Sequence, residues 1–142
     1  MIAGPLALAF ASALAGQALY VNWVEQPARL ALDDSALLSE WAPSDSRGVA
    51  LAGVLALLAA VFGLAAWYAE GDVRFAIGAL IAVGVWPYTF FVMAPLNNQI
   101  LTLTPRDVGA ARTLIRQWGL LELGQTAIGA VATAVFLWAV TG

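Results

Sequence analysis

The chain has 142 residues, 62% hydrophobic and only 11% charged, where an ordinary soluble domain carries about 25% charged residues. A soluble fold of this size cannot hide that much apolar surface, whereas about 20 apolar residues per crossing leaves room for four membrane helices in one domain, residues 1–142. The net charge is −3, all six basic residues are Arg, and Cys and His are absent; this excludes a basic nucleic-acid stripe, thiol chemistry, disulfides and imidazole ligation of metal or haem, so no metal, cofactor or nucleic-acid partner is expected.

The fold class this points to is all-α, a polytopic four-transmembrane-helix bundle with a short interfacial helix between helices 1 and 2. The first apolar run goes from Ile2 to Val24. Its Ala13-Leu14-Ala15-Gly16 has the look of a signal-peptide cleavage site, but no basic segment precedes the run and the run continues well past it, so a retained membrane helix over about 2–27 is expected. Pro27 removes a backbone donor and favours a kink or stop there. Asp33 or Asp34 can then cap the short helix, which places Leu37, Leu38 and Trp41 on one side and lies on the membrane surface.

The second crossing, about 47–69, contains no polar side chain between Val49 and Trp67 and reads as passive scaffold whose Gly53 and Gly63 allow close packing. It ends in Trp67 and Tyr68, which with Trp41 and Trp138 read as interfacial anchors. The third, about 73–96, starts after the capping candidate Asp72, contains Pro87, ends at Pro95 and is followed by the amide cluster Asn97-Asn98-Gln99. Thr104-Pro105-Arg106-Asp107 then supplies an N-cap, a first-position Pro and an acid in the first turn, opening a fourth helix over about 105–140. Five Arg (29, 47, 106, 112, 116) belong to one membrane side and only Arg74 to the other. By the positive-inside rule the first side is cytoplasmic and both termini lie outside, the expected setting being a bacterial inner membrane.

Polar groups inside a membrane are costly, so their angular positions carry the chemistry. At about 100° per residue, Trp118, Glu122, Gln125, Thr126, Gly129 and Thr133 share one arc of the fourth helix. Asn22, Glu25 and Arg29 lie together near the end of the first, with Glu25 and Arg29 four apart and able to pair. The first, third and fourth helices thus converge on one polar mouth, with aromatic walls from Tyr20, Trp23, Trp86 and Tyr88. For Gln125, Thr126 and Thr133 the simpler reading is that they hydrogen-bond one another to fix helix register. Glu122, an acid inside the span, favours function.

Three segments, Ala18-Leu19-Tyr20-Val21-Asn22-Trp23-Val24-Glu25-Gln26-Pro27-Ala28-Arg29, Pro87-Tyr88-Thr89 running to Pro95-Leu96-Asn97, and Trp118 with the helix after it, resemble the anthrone oxygenase-like family of small four-helix membrane proteins. The resemblance implies a four-helix bundle and, for some members, oxidation of an anthrone to an anthraquinone without metal or flavin. The family pattern carries His where Gln26 stands and a second His in the stretch of Trp118, Glu122 and Gln125, so Glu122 must replace the histidine base here or the activity is absent.

Two functions follow. In the first, Glu122 is the base of a cofactor-independent oxygenase acting on a hydrophobic aromatic small molecule from the lipid bilayer. Arg29, Asn97 and Gln125 then stabilise the enolate, and Asn22, Glu25, Tyr88, Asn98 and Trp118 bind substrate. In the second, the chain is a non-catalytic accessory subunit of a larger membrane complex. Transport has less support, because no ladder of charges crosses the span.

Overall fold

The computed structural model describes residues 2–142, without the side chains of Pro105 and Val108. Four helices cross in turn: α1 (Ala3–Leu30), α2 (Asp34–Glu70), α3 (Val73–Leu101) and α4 (Val108–Thr141). Among the described residues there is no strand, and all four helices are long and apolar enough to span a bilayer. α1 packs on α2 and α4, and α3 on the same two, so the bundle closes as a ring. The connections are tight. Asp33 caps α2 by accepting from the Ala36 N–H at 2.9 Å, Gly71 turns the chain with φ 72°, and Asp72 caps α3 through the Arg74 N–H at 2.9 Å.

Two expectations change. The short surface helix between the first two crossings does not stand alone: residues 34–46 are the first turns of one 37-residue α2, with Pro43 inside it. Leu37 and Trp41 are fully buried against Met93, Ile100, Ile115 and Trp118. That apolar stripe is covered by protein, so it holds the segment in line with the crossing rather than flat on the membrane. Trp41 is accordingly no interfacial anchor; its ring meets Trp118 edge-on, 6.0 Å between centroids. Trp67, Tyr68 and Trp138 are exposed, as anchors are.

The prolines also act differently from stops. Pro27 and Pro95 each follow a π-helical segment, Val21–Glu25 and Thr89–Met93, whose last carbonyl-to-amide links reach five residues back (Gln26 N–H to Val21, Ala94 N–H to Thr89). The wider turn absorbs the missing donor, so α1 runs on to Leu30 and α3 to Leu101. At α4, Pro105–Asp107 form a 3-10 turn before the helix proper begins. There the Asp107 carboxylate accepts from the Thr104 N–H and hydroxyl at 3.0 and 2.9 Å.

The two halves of the bundle are packed by different means. Toward the termini the interior is a lattice of small residues, Ala3, Ala7 and Ala11 on α1 and Ala59, Ala60 and Ala66 on α2, which lets backbones approach closely. Phe136 fills the notch left by Gly63 and Gly78; a Cβ at either glycine would lie 2.7–2.8 Å from its ring. At the other end the packing is bulky and aromatic, around Trp41 and Trp118. Large groups spread the helices there, and the space between them is the cavity described next.

Candidate functional site

The cavity, about 600 Å³, lies between α1, α2 and α4. Each helix presents residues three or four apart: Gln17, Val21 and Glu25 from α1; Glu40, Ser44, Gly48 and Leu51 from α2; Trp118, Glu122 and Gln125 from α4. That spacing keeps one face turned inward over two or more turns. Asp45 and Arg47 also line it.

One side of the mouth is fixed by Arg29, which is 2% exposed. Its Nε donates to Glu40 Oε2 at 2.5 Å, Nη1 to Gln26 Oε1 at 3.1 Å, and Nη2 to Glu25 Oε1, Glu40 Oε1 and Ser44 Oγ at 3.0, 3.3 and 2.8 Å. The Ser44 hydroxyl also donates to Glu25. The guanidinium lies 5.2 Å from the centroid of Trp118. Each nitrogen of its planar fork has a partner, so Arg29 ties α1 to α2 and seats Trp118.

The inner wall is less satisfied. Glu122 is 6% exposed and makes no hydrogen bond or ion pair among the described residues. Beside it in the lining, Gln125 has a buried carbonyl oxygen without a partner, and the buried indole N–H of Trp118 faces the Asp45 carboxylate without a well-formed hydrogen bond. Buried polar groups are ordinarily paired. Three polar side chains on successive turns of α4, Trp118, Glu122 and Gln125, thus line one space.

The remaining expected site residues fall outside the lining. Asn22 links α1 to α4, donating to Gly119 O at 3.0 Å and accepting from Thr126 Oγ1 at 2.9 Å. Tyr88 donates to Leu121 O at 2.5 Å, joining α3 to α4. Asn97 is buried behind the cavity and donates to both oxygens of Asp45, at 3.2 and 3.4 Å, so it orients a residue that does line it. Asn98 is exposed on the outer side of α3. Gln26 donates to Ile115 O at 2.9 Å and accepts from Arg29, a position in the α1–α4 seam rather than in the cavity. Gln125 donates to Thr89 Oγ1 at 3.4 Å.

Sequence reasoning placed the mouth among helices 1, 3 and 4, and the structure places the cavity among 1, 2 and 4. Glu40, Ser44 and Asp45 were missed, because residues 34–46 were read as a short helix lying on the membrane surface. Their spacing with Gly48 was the available signal: 40, 44 and 48 repeat every four residues and continue into the apolar run. Among the described residues no group of three or more Asp or Glu is placed to hold a metal ion.

A four-helix membrane bundle with an acid-lined cavity at one end is the class that fold and site define. The sequence model of the anthrone oxygenase family matches residues 41–135, which takes in most of α2, all of α3 and most of α4. The chain belongs to that family. Comparison with curated proteins and with solved structures gives no match.

Proposed function

We propose that the cavity takes a planar, hydroxylated polycyclic aromatic ketone of the anthrone type and that Glu122 is the base for its oxidation by molecular oxygen. The observation that carries this is the polar wall that α4 gives the cavity: the buried Glu122 carboxylate, which has no hydrogen-bond partner among the described residues, between Trp118 and Gln125. Such a ketone complements them, its carbonyl accepting from Trp118 and a ring hydroxyl donating to Gln125. Specificity is strong where a site's buried polar atoms are paired only by the right ligand.

In this reading Glu122 removes a proton from the CH2 between the rings, and the charge spreads onto the carbonyl oxygen that the Trp118 N–H holds. The carbanion gives its electrons to oxygen and forms a C–O bond, leaving a peroxide that takes back the proton from Glu122. Loss of the second C–H proton with departure of hydroxide completes a new C=O and one water. CH2 and O2 thus become C=O and H2O, one oxygen molecule per quinone. Arg29, Glu25 and Glu40 shape the mouth, and Asn97 positions Asp45.

The Arg bias supports a cytoplasmic mouth with both termini outside, in the proposed setting of a bacterial inner membrane. As the chain has no Cys, single cysteines at Ser46 and Gly142 report the orientation through labelling by an impermeant maleimide. The test of function is substrate-dependent oxygen uptake by reconstituted protein above that of empty vesicles, lost in Glu122→Gln. Binding of 1,8-dihydroxyanthrone without uptake would favour the second reading, an accessory or binding subunit without turnover, which the replacement of the family histidines supports.

A further inference from the structure

The cavity has an aqueous end at Glu40 and Pro43, but its lining also reaches the outer surface of the bundle. Tyr20 and Leu51 line it and are 57% and 49% exposed, and Val49 is 36% exposed. Val49 opens the apolar run of α2, so these residues stand where the headgroups give way to hydrocarbon. Farther from the mouth, α1 and α2 are sealed together: Leu14 is fully buried in one cluster with Ala52 and Ala56, and the rings of Phe10 and Phe62 stack at 5.6 Å. The two helices therefore part between Gln17 and Leu51. At the parting lies Gly48, where an added Cβ would meet nothing within 4 Å.

We infer that the gap between α1 and α2 at Gly48 is a lateral portal through which a neutral, planar aromatic molecule passes from the bilayer into the cavity. This rests on the proposed function for its occupant. The wall of the passage grades from apolar to polar, with Val49 and Leu51 at its exposed edge and Glu122 and Gln125 buried within. A lipophilic ring system thus meets hydrogen-bonding groups only after leaving the lipid. The wide turn at Val21–Glu25 carries α1 past the opening. Glycine at position 48 keeps the passage clear; a longer side chain there narrows it, and its Cβ meets no neighbour within 4 Å.

The test is relaxation kinetics in anaerobic vesicles, where 1,8-dihydroxyanthrone binds without turnover and tryptophan-to-probe energy transfer reports occupancy after a temperature jump. Gly48→Leu is expected to slow relaxation about tenfold while Kd stays within about threefold, since a portal obstructs arrival and departure alike. Gly48→Ala, which adds one methyl into open space, slows it less. Gly16→Leu adds the same bulk at an open position of α1 outside the lining and leaves the rate as in the wild type. Wild-type rates in Gly48→Leu, or a weakened Kd with unchanged association, overturn the portal while leaving the cavity reading intact. A wild-type protein that binds no probe overturns the cavity reading, and the portal with it.

Discussion

Replacing Arg29 by Met removes a cation whose side chain is 1% exposed and leaves Glu25 and Glu40 with no partner of opposite charge among the described residues. Breaking a buried ion pair from one side costs about 3–5 kcal/mol, because the surviving charges are stranded rather than because the pair itself is worth so much. Here the carboxylates retain 29% and 36% of their side-chain exposure, so water reclaims part of the loss and a cost of about 3 kcal/mol is expected. Reversible unfolding by SDS titration in mixed micelles measures it. The same argument fixes the rescue: in Arg29→Met with Glu25→Gln and Glu40→Gln nothing charged is stranded, and most of the stability returns. A cost under about 1 kcal/mol, in the range of an exposed pair, or a triple variant no more stable than the single, would refute the assignment of Arg29 as the clamp of the mouth.

Further outcomes follow from the packing and the turns. Gly78→Ala drives a methyl into the Phe136 ring and costs about 1–3 kcal/mol, a loss largely recovered in a Phe136→Leu background. Gly129→Ala costs at least as much but no side-chain change rescues it, since its Cβ would lie 2.8–2.9 Å from the backbone of Ala15; the same unfolding titration separates the two. The Asp72 carboxyl is held below the usual carboxylate range by hydrogen bonds from the Arg74 side chain and then its backbone N–H. A depressed folded value means its contribution is present above the unfolded value and lost as pH falls through the folded one. Melting temperature should thus be level on this account above about pH 5 and fall below about pH 4, a fall that Asp72→Asn reduces.

The number of helices, their order and the polar end were legible because apolar runs of 20 residues and clustered Arg leave few alternatives. Glu122 and Gln125 were placed by regular helical angle, since α4 is regular over that stretch. In α1 the same angle put Asn22 with Glu25, whereas the π segment from Val21 turns less per residue and sends Asn22 to α4 and Glu25 to the cavity. Residues 34–46 resisted reading for another reason. Their acids, serines and proline suit a short helix on the membrane surface, and only the cover supplied to Leu37 and Trp41 by α3 and α4 sets them in line with the crossing. Tertiary burial decided there, and it brought Glu40, Ser44 and Asp45 into the site.

The most direct measurement is oxygen uptake by the protein reconstituted in vesicles on addition of 1,8-dihydroxyanthrone, compared with Glu122→Gln. One oxygen consumed per quinone formed, with loss of the protein-dependent rate in Glu122→Gln and wild-type stability of that variant, is the expected result. No protein-dependent uptake, or an undiminished rate in Glu122→Gln, would contradict the account.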